Sequence, residues 1–161
     1  MFAEFLDLPL HPLAVHAPVV LVPLLLLAAL AYALVPKVRT YVGWLAALLA
    51  VAAPISAVLA KLSGDEYRAT LYGPQVLPVD HAVEVHSRFG NSLMWSSLGL
   101  GVVTLGLYLL RRRADTVAGA RRVAIWVVTG LVVVLAAATA YYTFRVGHSG
   151  AEMTHGGRIP S

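Results

Sequence analysis

Four apolar runs, each about as long as a bilayer core is thick, limit what this chain can become. They cover residues 13–35, 40–62, 89–110 and 123–144. A helix needs about 20 apolar residues to cross ~30 Å of hydrocarbon, and every run meets that length. Strands are excluded as the spanning element, because lipid demands internal backbone pairing and the runs lack the alternation of a barrel. The expected fold is all-α, a four-transmembrane-helix up-down-up-down bundle forming one domain over residues 1–161. Its helices are expected at about 12–35, 40–62, 80–111 and 119–147, with 148–161 as a flexible extracytoplasmic tail. Composition matters at one point. Only 12% of residues are charged and 59% are hydrophobic, whereas a soluble domain carries about 25% charged residues. Lipid must therefore cover much of the exterior.

Seven of the twelve basic residues lie in two short connections, and seven of the eight acids lie on the other side. Lys37 and Arg39 lie in the first connection, and Arg111, Arg112, Arg113, Arg121 and Arg122 lie in the third, with Asp115 their one acid. The acids Glu4, Asp7, Asp65, Glu66, Asp80, Glu84 and Glu152 fall on the other side. The positive-inside rule places connections one and three in the cytoplasm and both termini outside, as expected of a multi-pass protein of the bacterial cytoplasmic (inner) membrane. The net charge of +4 is thus a topology signal and does not mark a nucleic-acid-binding face. The chain has no cysteine, which excludes disulfides, cysteine-ligated clusters and covalent haem attachment within it.

The start, MFAEFLDLPLHP, lacks the basic region of a secretory signal. It reads as an interfacial lead-in with Phe2, Phe5, Leu6 and Leu8 facing lipid. Pro18, Pro23 and Pro54 fall inside expected spans, which membrane helices tolerate when neighbours re-satisfy the backbone. The third helix is expected to begin two turns ahead of its apolar stretch, with Pro78 as a stop and Asp80 as its cap. Glu84 and Arg88 have the spacing of a helical ion pair. No repeat is evident beyond an echo between HPLAVH and HAVEVH.

The six histidines carry the functional signal. His11 and His16 open the first helix, His81 and His86 open the third, and His148 and His155 follow the fourth. The expected topology puts all six at the extracytoplasmic end. Five positions rotate a helix by about 140°, so the members of each opening pair cannot share a face. Helices one and three sit diagonally in such a bundle, so one imidazole from each can address a shared ligand. His16 and His86, the deeper members, are the expected pair.

Two chemistries use imidazoles this way. A haem b takes two axial imidazoles on opposite faces, with cations near its propionates. Here His16 and His86 would be the axial ligands, with His11, His81 and His148 as alternates or ligands of a second haem, and Arg88 and Arg145 at the rim. A copper or zinc site needs three or four converging ligands, and His148, Met153 and His155, with His16 or His86, supply that alternative. No nucleophile–base pair or phosphate loop stands out. An electron-transfer or accessory subunit is therefore expected before an independent enzyme.

The segments HPLAVHAPVVLVPL, HAVEVHSRFGNSLMW and GHSGA resemble the bacterial domain-of-unknown-function 2231 family of small membrane proteins, in its actinobacterial form. Ala17 stands where relatives often carry an aromatic residue. The resemblance implies a four-helix membrane domain. Relatives are sometimes found beside or fused to redox modules, so the resemblance implies haem and electron transfer by association only. The expected partners are membrane lipid and other membrane or extracytoplasmic redox proteins, quinol among the candidates, with self-association open. A non-catalytic accessory subunit of a larger membrane complex is the third reading.

Overall fold

The computed structural model describes residues 4–5, 8–112 and 118–155, with side chains from His11 to Arg112 and from Gly119 to Met153. The expected interfacial roles of Phe2, Phe5, Leu6 and Leu8 lie outside the described residues or their described side chains. A two-residue antiparallel pairing, β1 (Glu4–Phe5) with β2 (Leu8–Pro9), precedes the helices. Then come α1 (Leu10–Ala14), α2 (His16–Leu34), α3 (Arg39–Tyr72), α4 (Ala82–Arg112) and α5 (Ala118–His155).

Proline explains the first interruption. Pro18 has no N–H for the carbonyl of Ala14, four residues back, so the helix breaks at Val15 and α1 is set off from α2. The chain bridges the break with Val15 N–H to His11 O at 3.1 Å and Val19 N–H to Val15 O at 3.2 Å. Pro36 ends α2 by holding Val35 extended (φ −109°, ψ 95°) and opens a 3-10 turn over Pro36–Val38.

Two helices outrun their apolar stretches. The second helix was expected to end near residue 62, yet α3 runs for 34 residues to Tyr72. Nothing between Lys61 and Tyr72 forbids helix, and the Lys61–Asp65 ion pair supports the extension. Gly73 stops it at φ 61°, ψ −147°, a conformation open essentially to glycine alone, while its N–H bonds Ala69 O at 2.9 Å. Pro74 follows. At the other end of the chain, 148–155 belongs to α5 and is not the expected flexible tail. Gly147 and Gly150 each cost a helix only about 1 kcal/mol against alanine, too little to end one already packed on a neighbour.

The four long helices form the expected bundle. Contacts run α2–α3, α3–α4 and α4–α5, and α2 against α5 closes the ring. Leu93, Leu100 and Leu107 recur every two turns on α4 and pack with Val22, Leu25 and Ala29 of α2, Ala46 and Ala53 of α3, and Val132 and Ala136 of α5. Small residues bring the backbones close. Pro54 leaves Ala50 O without its helical donor, and Gly101 of α4 fills the gap, with space so tight that a Cβ there would lie 2.3 Å from that oxygen. Large apolar side chains point outward at all levels, including Trp44, Ile55, Trp126 and Val134. Four helices are long and apolar enough to cross a membrane, and the outward apolar surface is what lipid contact requires.

Candidate cofactor site at the histidine end

His11 and His86 are the imidazoles that turn into the bundle. His11 Nδ1 lies 3.1 Å from Ala60 O and 3.2 Å from Ser63 Oγ, both on α3. His86 Nδ1 lies 3.0 Å from Ser149 Oγ on α5. The two serine hydroxyls are committed as donors to their own helices, Ser63 to Ala60 O at 3.0 Å and Ser149 to Val146 O at 3.2 Å. Ala60 O can only accept, so His11 donates from Nδ1 and leaves Nε2 unprotonated; with the Ser149 proton spent on Val146 O, His86 does the same. That tautomer, fixed by an oxygen behind Nδ1, is the one in which a histidine ligates a metal.

A glycine follows each serine, and each gives its histidine room. A Cβ on Gly64 would meet His11 Cε1 at 2.9 Å, and one on Gly150 would meet His86 Cε1 at 3.4 Å. The molecule thus builds the same unit twice. A histidine on one helix docks on a Ser-Gly step of the next, once between α1 and α3 and once between α4 and α5. The sequence signal is Ser63-Gly64-Asp65-Glu66 and Ser149-Gly150-Ala151-Glu152, a Ser-Gly-x-Glu pattern that inspection of the histidines alone passes over.

The other expected residues are placed differently. His16, expected to pair with His86, is exposed and its Nδ1 turns back to Leu13 O at 3.3 Å. His11 takes the inward position because the two residues lie on different faces and on either side of the break at Val15. His81 caps α4, its Nδ1 accepting from Val83 N–H at 3.3 Å, and packs edge-on against Tyr72. It fills the role expected of Asp80. Its accepting Nδ1 leaves the proton on Nε2, so the ring has no free lone pair for a metal.

His148 is exposed on α5, stacked on Phe144 and paired with Glu152 at 3.3 Å. Met153, five positions further along a helix, points about 140° away from it. The side chain of His155 lies outside the described residues. Among the described residues no three histidines, aspartates or glutamates converge on one point.

Of the two arginines, Arg88 is exposed, and Glu84 pairs across to Arg68 of α3 at 3.3 Å rather than with Arg88. Arg145 faces α4, 4.2 Å over the Phe89 ring, and bonds Tyr141 Oη at 3.0 Å. It lies one turn from Ser149 on the same face of α5, so it remains the cation beside the His86 unit. Tyr67 stacks on His11 with centroids 6.2 Å apart.

These features define a polytopic four-helix membrane bundle with two equivalent polar units at one end. The profile of a predicted membrane protein family, DUF2231, matches residues 7–160, and the chain belongs to that family. No curated protein and no solved structure matches it significantly.

Proposed function

We propose that this protein is a haem-b-binding electron-transfer subunit in which His11 and His86 would hold the haem iron. The observation that carries the reading is the matched pair of imidazoles, each held through Nδ1 with Nε2 unprotonated, one from each half of the bundle. Two such nitrogens satisfy a bis-imidazole haem, whereas copper or zinc would require further converging ligands. When bound, the haem supplies one-electron transfer. The chain's own residues fix the ring tautomers through Ser63, Ala60 and Ser149, and Arg145 offers a cation to a propionate.

The charge asymmetry favours a cytoplasmic arginine end and an extracytoplasmic histidine end in a bacterial inner membrane. A cofactor at one end cannot alone span ~30 Å of hydrocarbon. Its partner is then an extracytoplasmic redox protein or quinol at that interface.

The test is the visible spectrum of protein purified from haem-replete cells, oxidised and then reduced with dithionite. A sharp reduced α-band, lost in His11→Ala and in His86→Ala and kept in His16→Ala, supports the reading. A colourless, fully helical protein would overturn it and leave the two His–Ser units as latches between helices of an accessory subunit.

A further inference from the structure

The opposite end of the bundle concentrates cations under helix ends. Arg39, at the start of α3, donates Nε to Tyr32 O and Nη2 to Ala33 O, both at 3.1 Å. Arg111, at the end of α4, donates to the same two oxygens, at 2.6 and 3.2 Å, and reaches Thr129 Oγ1 of α5 at 3.4 Å. Both guanidinium groups sit on the last-turn carbonyls of α2. Arg121 does the same for α4, bonding Leu110 O at 3.3 Å and Arg111 O at 3.0 Å.

The charges do not balance. A helix C-terminus offers about half a negative charge, and that of α2 receives two full positive ones. Among the described residues no carboxylate pairs with Arg39, Arg111 or Arg121; Asp115 lies outside them. Each arginine has five N–H donors, and the contacts named leave some of them unspent on both Arg39 and Arg111. Tyr32 and Tyr108 line the spot, with Arg111 4.9 Å over the Tyr32 ring and Arg112 5.2 Å over that of Tyr108. Tyr41, 77% exposed near the start of α3, lies at the same level, and exposed tyrosines at the end of an apolar span mark the depth of lipid headgroups. The unspent donors suit an anion with several acceptor oxygens, held at headgroup depth.

We propose that Arg39 and Arg111 bind the phosphodiester of an anionic phospholipid at the C-terminus of α2. Planar guanidinium forks suit phosphate oxygens, and basic pockets between membrane helices are where such headgroups lodge. The site has no role in the histidine-end reading and stands or falls without it.

The experiment is native mass spectrometry of the delipidated full chain in mild detergent, titrated with phosphatidylglycerol, phosphatidylcholine or inorganic phosphate. One phosphatidylglycerol should bind at least about tenfold more tightly than phosphatidylcholine, the order expected of one charged hydrogen-bonding partner. Arg39→Gln should remove that preference. It leaves both α2 carbonyls bonded to Arg111, so the fold survives and the loss is interpretable. Arg122→Gln removes the same charge from an exposed position nearby and should keep the preference. Equal binding of the two lipids overturns the proposal, as does equal loss in the two variants, which would mean diffuse attraction. Competition by millimolar phosphate as effective as the lipid itself would assign the site to a free anion and overturn the lipid assignment.

Discussion

The two ends of this bundle solve the same problem, polar groups at the edge of an apolar core, in opposite ways. At the arginine end, charge is spent on backbone: guanidinium groups cover the carbonyls left open where α2 and α4 stop. At the histidine end, His11 and His86 dock on serines of other helices, Glu84 of α4 pairs with Arg68 of α3, and α3 is stopped by Gly73 with no cation involved. The arginine end thus closes helix termini, with more positive charge than the carbonyls take up. The histidine end instead turns two imidazoles into the bundle, each held through Nδ1.

Substitutions can break this contrast, and the largest effect should come from removing both capping arginines. Arg39→Gln alone leaves Tyr32 O and Ala33 O bonded to Arg111, and the converse holds for Arg111→Gln. The double variant orphans both, at about 1–3 kcal/mol for each buried acceptor. Its loss of thermal stability in detergent should exceed the sum of the single losses; simple additivity would mean the two arginines act independently.

The glycine stop at the other end comes next. Nothing lies within 4 Å of a Cβ on Gly73, so Gly73→Ala is a test of backbone conformation alone. It should cost about 1–3 kcal/mol, measurable as a lower unfolding midpoint. An unchanged midpoint would show that the segment after Tyr72 re-forms without strain.

A smaller effect should separate the two His–Ser units. His11 keeps Ala60 O when Ser63 is truncated, so Ser63→Ala should cost a few tenths of a kcal/mol. His86 is held by Ser149 itself and must fall back on Val146 O, so Ser149→Ala should cost about 1 kcal/mol. If haem is bound, the Ser149 variant should also shift its midpoint potential more. Equal effects would mean the units are interchangeable in energy as well as in pattern.

The smallest change is expected at Glu152→Gln. The His148–Glu152 pair has 57% and 63% of its side-chain area exposed, and exposed ion pairs contribute about 0–1 kcal/mol. A loss of metal or haem on this substitution would move the functional centre to α5 and undo the comparison.

Much of this architecture was legible beforehand. Span number, all-α class and the segregation of histidines from arginines follow from local hydropathy and loop charge. The candidate site was legible only in part. His86 turns toward Ser149 and Arg145 lies over Phe89, but the deeper-looking His16 is exposed, and the overhangs of α3 and α5 were read as loop and tail. Helix ends beyond the apolar core depend on caps and pairs such as Gly73 and Lys61–Asp65, which a hydropathy window does not weigh.

What the sequence determined by itself is what local hydropathy and loop charge carry: about 20 apolar positions per span, polar groups at the ends, and seven of the twelve basic residues in two short connections on one side. What only the tertiary structure decided is which polar groups meet. His11 with Ser63 and Gly64, His86 with Ser149 and Gly150, and Arg111 with the end of α2 are pairings across 50 to nearly 80 positions of chain. They depend on helix rotation and on the break at Val15, and those are set by packing the whole ring of helices at once.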